Sequence, residues 1–448
     1  MVRTFLRLTV LGLLVWVVAA AAAFGQSPLL RRAITGEAKK LIVGTGVFPS
    51  EEPGRVRLEV YYQVYNYALD FQQLGGLFRA RYVTTIRVND RKADTTAAVS
   101  REEREAVVDA LAKTTSTADY RAAQVNFDLP PGDYEVLFLI ENVGSSAILK
   151  RDFDLRLEPF DSRSAELSDI ELAQAAGPNE SDSAAGAFAK GEFIVVPSLT
   201  GSFSGDDGGR LLFYLEIHRG GDSLSEVTVV TALRHESKGM VYRDSLTTAL
   251  PQRITRQLRE ISLDGFMPGD YRLEVSLHGR RYKQLDQRQA EFRIPWTAAS
   301  VLRYDWNAAL DQLELIADGN EIKPLRKIDS LADRVAALDR FWAERDPDPT
   351  TAVNEIKVVF YYRVDLANRL FSILNMEGWR TDRGRVLIRY GEPDQIDDYP
   401  LVADRYPYQE WHYYKDRRYR KFVFVDVNDD GDYRLQYPYD GLYQRPDF

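Results

Sequence analysis

Apolar and polar side chains alternate residue by residue along much of the first 295 positions, and after Trp296 the spacing lengthens to the three- and four-residue steps of helices. Val56-Arg57-Leu58-Glu59-Val60-Tyr61-Tyr62-Gln63-Val64 alternates, Tyr82 to Val88 is β-branched, and Asn89-Asp90 is a turn signal. Residues 40–160 therefore read as a meander of short strands. Near its end stands Pro130-Pro131-Gly132-Asp133-Tyr134-Glu135-Val136, and Met267-Pro268-Gly269-Asp270-Tyr271-Arg272-Leu273 repeats the pattern later in the chain. Pro-Gly makes a tight turn, Asp bonds backbone within it, and Tyr opens a strand whose alternate side chains point inward. Turns of this kind precede a late strand in immunoglobulin-like and fibronectin-like sandwiches. The repeat predicts two such β-sandwich domains, over residues 40–160 and 191–295. Between them, residues 161–190 are rich in Ser, Ala, Asp and Gly and read as an exposed linker.

In the last region, Leu331, Val335, Leu338 and Trp342 follow the cap signal Asp329-Ser330 and stop at Asp346-Pro347-Asp348-Pro349, which predicts a helix. Thr351 to Leu374 predicts a second, with Val353, Ile356, Val359, Phe360, Leu366, Leu370 and Phe371 as its apolar stripe. Strand-like aromatic segments return at Glu410 to Tyr414 and Phe422 to Val427. Residues 296–448 are expected to form an α+β domain, and the chain as a whole to be multidomain and mainly β.

Composition narrows the chemistry. The 448 residues suit about three domains, and 25 Tyr and 21 Phe against 4 Met agree with half-buried strands. The absence of cysteine excludes disulfides, thiolate metal sites, a cysteine nucleophile and a lipidated cysteine. With 58 basic against 67 acidic residues the net charge is −9, which disfavours non-specific binding to nucleic acid or anionic lipid. Arg3 and Arg7, the apolar run Leu8 to Val18 and the small residues Ala19 to Ala23 before Phe24-Gly25 read as a signal peptide over residues 1–25, with a retained anchor as the alternative. No later stretch approaches the roughly 18 apolar residues of a membrane span. The expectation is an exported protein of the periplasm or the exterior, with no integral membrane segment in its mature chain.

The string Gly378-Trp379-Arg380-Thr381-Asp382-Arg383-Gly384-Arg385 carries chemistry of two kinds. As structure, Gly378 takes conformations closed to other residues, Trp379 is a large buried anchor, and Thr381 or Asp382 caps a helix. As a site, Asp382 with Arg383 and Arg385 offers a carboxylate and two guanidiniums able to hold an anionic ligand. Arg385 to Tyr390 reads equally as a helix or as a strand. The string, with Phe341-Trp342, the Asp-Pro run, Glu392-Pro393-Asp394 and Glu410-Trp411 in order around it, resembles the GWxTD-domain proteins. The resemblance implies a secreted or periplasmic bacterial envelope protein, and it implies no reaction. Counted from Asp382, the following Val386, Gly391 and Pro393 are also spaced similarly to the BamE-type outer-membrane assembly proteins, whose helix pair packs on a three-stranded sheet.

Asp426-Val427-Asn428-Asp429-Asp430-Gly431-Asp432 matches the first half of a calcium loop, with Asp426, Asn428 and Asp430 as ligands, but Tyr437 stands where the bidentate glutamate belongs. The competing reading is a hairpin tip, since strand-like segments flank it. His218, His235, His278 and His412 are isolated, and no HExxH or GxSxG pattern singles out an enzyme nucleophile or zinc site. Lys415 to Lys421 reads as a solvated hairpin loop. Among Tyr406, Tyr408, Trp411, Tyr413 and Tyr414, core packing accounts for Trp411, and the tyrosines suit a contact surface for protein or sugar. Together these features point to a non-enzymatic envelope protein with a protein-interaction or scaffolding role and no nucleic-acid partner. The alternative is a polysaccharide-active or calcium-dependent carbohydrate-binding protein that uses carboxylates of the last domain.

Overall fold

The computed structural model describes residues 40–438, apart from 116–118, 146–147, 161–163, 180–187, 204–208, 222–223, 348, 350–353, 374–375, 401–405, 415–418 and 429. The expected signal peptide, residues 1–25, lies outside the described residues. No helix among the described residues is long and apolar enough to cross a membrane.

The first sandwich comprises β1 (Leu41–Pro49), β2 (Val56–Tyr65), β3 (Gln72–Leu74), β4 (Leu77–Asp90), β5 (Thr95–Val108), β6 (Tyr120–Leu129), β7 (Gly132–Asn142) and β8 (Ile148–Leu157). Strands β1-β2-β6 make one sheet and β3-β4-β7-β8, with β5 on β4, the other. Alternation along β2 sends Val56, Leu58, Val60, Tyr62 and Val64 into a core shared with Ile86, Val136, Phe138 and Ile140.

The second sandwich comprises β9 (Ala165–Leu167), β10 (Glu171–Pro178), β11 (Ala189–Lys190), β12 (Phe193–Pro197), β13 (Arg210–Arg219), β14 (Glu226–His235), β15 (Gly239–Ala249), β16 (Ile254–Ser262), β17 (Gly269–His278) and β18 (Gln284–Ile294). Its sheets are β11-β12-β10-β13-β16, with β9 on β13, and β15-β14-β17-β18. The order β15-β14-β17-β18 repeats the β5-β4-β7-β8 pairing of the first sandwich, and β13-β16 repeats β2-β6. The repeated turn does the same work in both. Tyr134 donates its hydroxyl hydrogen to the Pro130 carbonyl at 2.8 Å, Tyr271 does so to Met267, and both rings are buried.

Described parts of the stretch 161–190, whose composition indicates an exposed linker, are paired in strands. Ala165–Leu167 pairs with Ile217 to Arg219, Glu171 to Ala173 pairs with Tyr214 to Leu212, and Lys190 pairs with Phe193. The small residues are there because the space is tight: Ala165 belongs to the core of the second sandwich, and Ala173 packs with Phe48, Val195 and Tyr214 between the two sandwiches. The parts 161–163 and 180–187 lie outside the described residues.

The sandwiches meet through the outer faces of β2 and β13, where alternation places Arg57, Glu59 and Tyr61 against Tyr214 and Glu216. Lys190, with its side chain 1% exposed, contacts the carboxylates of both Glu59 and Glu171. It lies 4.1 Å from the Phe48 ring centroid. Tyr61 Oη is 2.6 Å from Glu59 Oε2 and 2.9 Å from Glu171 Oε2, and Arg57 bonds Glu216 at 2.6 Å. Val47 and Asp169 exchange two hydrogen bonds at 2.9 Å across the same boundary.

The C-terminal domain follows with α1 (Ala298–Tyr304), α2 (Trp306–Leu313), α3 (Gly319–Leu325), α4 (Leu331–Ala343), α5 (Glu355–Phe371) and α6 (Asp382–Tyr390). A meander of β19 (Gln395–Tyr399), β20 (Tyr408–Tyr413), β21 (Arg420–Val425) and β22 (Arg434–Tyr437) completes it. Ser330 caps α4 by accepting the Asp333 N–H at 3.1 Å, and Asn354 caps α5 by accepting that of Lys357 at 2.8 Å. The buried stripe of α5 is Phe360, Val364, Ala367 and Phe371, while Val359 and Leu370 of the expected stripe are exposed. Likewise Leu331 and Val335 of α4 are exposed, and Leu338, Phe341 and Trp342 are buried. Apolar residues outnumber the positions each helix can bury, so the large rings take the core. Arg385 to Tyr390, readable either way, is helix, and the sheet has four strands rather than three.

The charged layer between the sandwiches makes a pH prediction. Burial raises the Glu171 carboxyl from 4.5 to about 7, with Lys190 offsetting only part of the effect and Glu59 adding to it. Burial acts on Glu59 in the same direction, but Lys190 and then Arg57 outweigh it and hold that carboxyl low. The native state therefore keeps a proton on Glu171 that the unfolded chain has released, and stability falls as pH rises through the window from 4.5 to about 7. Glu171→Gln should flatten that fall, read as urea midpoints that differ less between about pH 5 and pH 8 than in the parent. Lys190→Met, which strands two buried carboxylates, should cost about 3–5 kcal/mol at the higher pH.

Candidate functional site

The string around Trp379 forms the joint between α5 and α6. Gly378 to Arg380 make a 3₁₀ turn, and Thr381 caps α6, its Oγ1 accepting the Gly384 N–H at 3.1 Å and donating to the Gly378 carbonyl at 2.7 Å. A Cβ on Gly378 would lie 2.0 Å from the Ala367 carbonyl oxygen, and one on Gly384 would lie 1.9 Å from that of Gly378. The glycines are there so that the backbones of α5, the turn and α6 can touch. Trp379 is buried in the domain core, and its backbone N–H donates to Asn368 Oδ1 at 3.0 Å.

The charged residues of the string have unlike surroundings. Asp382 Oδ2 accepts the Leu435 N–H of β22 at 2.9 Å. Arg383 donates to the Gly431 carbonyl at 2.9 Å and lies over the rings of Tyr433 at 4.1 Å and Phe371 at 4.8 Å, and burial lowers its pKa. Arg385 is exposed. Asp382 and Arg383 are thus engaged with backbone groups, while Arg385 is at the surface. Asp382 and Arg383 tie α6 to the β21–β22 hairpin.

At the tip of that hairpin, Asp426 is buried and both its carboxylate oxygens are engaged, Oδ1 by the Asp430 N–H at 3.2 Å and Oδ2 by the Gly431 N–H at 2.8 Å. Gly431 has φ +84°, the left-handed conformation that favours glycine. Asp430 Oδ1 accepts the Asp432 N–H at 3.0 Å, and Asn428 is exposed. These contacts are those of a turn closed by its own carboxylates, and Asp429 lies outside the described residues.

The sheet has two unlike faces. Trp411 and Tyr413 of β20 point to the helices and are buried with Phe422 and Phe424, whereas Tyr408, Glu410 and His412 point outward. Pairing of β19 with β20 adds Tyr399 and Asp397 to the outer face, opposite Tyr408 and Glu410. Tyr399 and Tyr408 stack at 4.4 Å, Tyr414 and Tyr419 at 5.5 Å, and His412 and Tyr419 at 5.9 Å. Tyr406, Tyr414, Tyr419 and Tyr437 are each more than half exposed. Of the aromatic cluster seen in the sequence, Tyr406, Tyr408 and Tyr414 are on or beside this surface and Tyr413 is core. Strand pairing and not sequence proximity brings Tyr399, Asp397 and Tyr419 to this face, so no local spacing marks them. Alternation along Tyr408 to Tyr413 is the signal that separates the two faces. Of the basic stretch, residues 415–418 lie outside the described residues, and Lys421 is on β21 with its ammonium 3.1 Å from Glu410. His218, His235 and His278 lie apart from His412, in the second sandwich.

Residues 304–442 match the model of the GWxTD domain. No curated protein matches the chain. Among solved structures it is similar to red sea bream transglutaminase, at 12% identity over 56% of this chain and 31% of that one, with a TM-score of 0.16. It is also similar to a glycosyl hydrolase family 2 member from Bacteroides cellulosilyticus, at 9% identity over 57% and 33%, with a TM-score of 0.24. A DUF4785 family protein from Legionella pneumophila is similar at 9% identity over 57% and 56%, with a TM-score of 0.18. The chain thus spans about a third of the length of the first two.

The joint predicts a graded response to substitution, read from thermal or urea unfolding of the C-terminal domain. Gly384→Ala should destabilise it by about 1–3 kcal/mol or more through overpacking. Trp379→Ala should cost about 3–5 kcal/mol. Arg385→Ala, at an exposed position, should stay within about 0.5 kcal/mol of the parent.

Proposed function

We propose that the GWxTD domain carried by this chain at residues 304–442 is a non-enzymatic docking module of the bacterial cell envelope. The outer face of its terminal sheet holds a protein partner, and the two sandwiches present the domain to it. The observation that supports this reading is the layer of stacked rings formed by Tyr399, Tyr408, Tyr414 and Tyr419 on the side of the sheet away from the helices. Tyrosine offers a broad, stiff, amphipathic contact at low entropic cost, which is why it concentrates at recognition surfaces. An enzyme reading calls for a cleft with convergent catalytic groups, whereas these residues stand on an open sheet face. Export is supported by the apolar leader, and the lack of cysteine is compatible with it.

The same rings also suit stacking against sugars, and one experiment separates the two occupants. A photo-crosslinking amino acid at Tyr414 in native cells should label one protein species, and Tyr399→Ala with Tyr419→Ala should abolish the label without lowering the melting temperature. The same probe at Val99, which is 59% exposed in the first sandwich, should not label that species. A label on glycan would make the face carbohydrate-binding, and equal labelling from both positions would sink the docking reading.

A further inference from the structure

Asp397, Glu410 and His412 form a cluster on the outer face, built by the pairing of β19 with β20. A ligand atom of each lies within 4.8 Å of those of the other two. His412 Nε2 is 3.1 Å from Asp397 Oδ2 and 3.9 Å from Glu410 Oε2. The far atom of each group is held from behind. Gln395 donates to Asp397 Oδ1 at 2.8 Å, Lys421 donates to Glu410 Oε1 at 3.1 Å, and the Tyr419 hydroxyl bonds His412 Nδ1 at 2.7 Å. Outer contacts of this kind aim the inner atoms of metal ligands and fix the histidine tautomer. The His412 side chain is only 10% exposed and its ring lies parallel to those of Tyr414 and Tyr419.

We propose that Asp397, Glu410 and His412 bind a divalent transition-metal ion such as zinc, with its remaining coordination positions open to solvent. One imidazole and two carboxylates suit zinc and its neighbours in the first transition row, whereas calcium takes six to eight oxygens. In the metal-free arrangement His412 Nε2 faces Asp397 Oδ2 and Nδ1 faces the Tyr419 hydroxyl. When the ion takes the Nε2 lone pair, the ring proton resides on Nδ1 and the Tyr419 oxygen accepts it. The proposal deepens the docking reading and rests on it only for what fills the open positions: a partner's carboxylate or imidazole would complete the shell beside the tyrosine rings.

The test uses the full chain, stripped with chelator and titrated with zinc chloride by calorimetry, with nitrogen NMR of the histidine rings. The expected result is one zinc per chain with a zinc-dependent shift of the His412 Nε2 resonance. Asp397→Asn, at a solvent-facing position, and His412→Ala should each weaken binding at least about tenfold, and Tyr419→Phe by about tenfold. Asp426→Ala should leave affinity unchanged, because that carboxylate is engaged in its own turn. Since His412→Ala touches a nearly buried ring, the metal-free melting temperature of each variant is compared, and Asp397→Asn carries the test if His412→Ala unfolds. Absence of saturable binding up to about millimolar zinc, or stoichiometric binding that survives Asp397→Asn, would overturn the proposal. Crosslinking from Tyr414 that persists in chelator while zinc fails to bind would remove the metal and leave the docking face. Zinc binding without any such crosslink would do the reverse.

Discussion

Lys190 between Glu59 and Glu171 is the contact on which the arrangement of the two sandwiches depends. Each sandwich closes its own core, and what remains to be arranged is an outer sheet face that carries charge. Arg57, Lys190 and Arg256 meet Glu59, Glu171 and Glu216 there, away from water. Removing such groups from solvent is costly, and only near-complete pairing offsets it. A slide of one sandwich over the other would strand charges in a dry layer, so the ion pairs act as a register for the domains. Phe48, Ala173, Val195 and Tyr214 supply the apolar contact around them. The same geometry involves the described parts of the stretch between the sandwiches, because Glu171 and Lys190 are two of the charges.

A comparable chain of causes runs through the C-terminal domain. Gly378 and Gly384 let α5 and α6 approach to backbone contact. That approach places Asp382 and Arg383 where they hold β22 and the turn at Gly431. The hairpin so held completes a sheet whose inner face, with Trp411, Phe422 and Phe424, packs on the helices. The outer face then presents the tyrosines and the cluster of Asp397, Glu410 and His412. The named string is therefore the support of the candidate surface, and its residues stand on the opposite side of the sheet from it. The acidic tip fits the same scheme, because Asp426 bonds the backbone that Arg383 also grips.

Much was legible from local pattern. Alternation along β2 and β13, the repeated Pro-Gly-Asp-Tyr turns and the caps at Ser330 and Thr381 depend on near neighbours in the chain, and their physics is that of the backbone and of one buried face. The sandwiches, the helices and the structural part of the glycine-tryptophan string follow from such terms. Composition misled where it stood in for contact: small residues are common to linkers and to close-packed strands, and nothing local tells Ala165 or Ala173 in a core from an alanine in a loop.

What the sequence by itself determined is which residues alternate, where turns and caps lie, and which chemistries are absent for want of cysteine. What tertiary structure decided is which polar residues share a place. Glu59, Glu171 and Lys190 come from three strands, and Asp397 and Glu410 face each other only through the register of β19 on β20. Burial, and with it the raised Glu171 carboxyl, exists only once two sandwiches have met. The division follows from range: hydrophobic periodicity is set by bonds a few residues apart, whereas electrostatic pairing and ligand convergence are set by distances in space that no local spacing encodes.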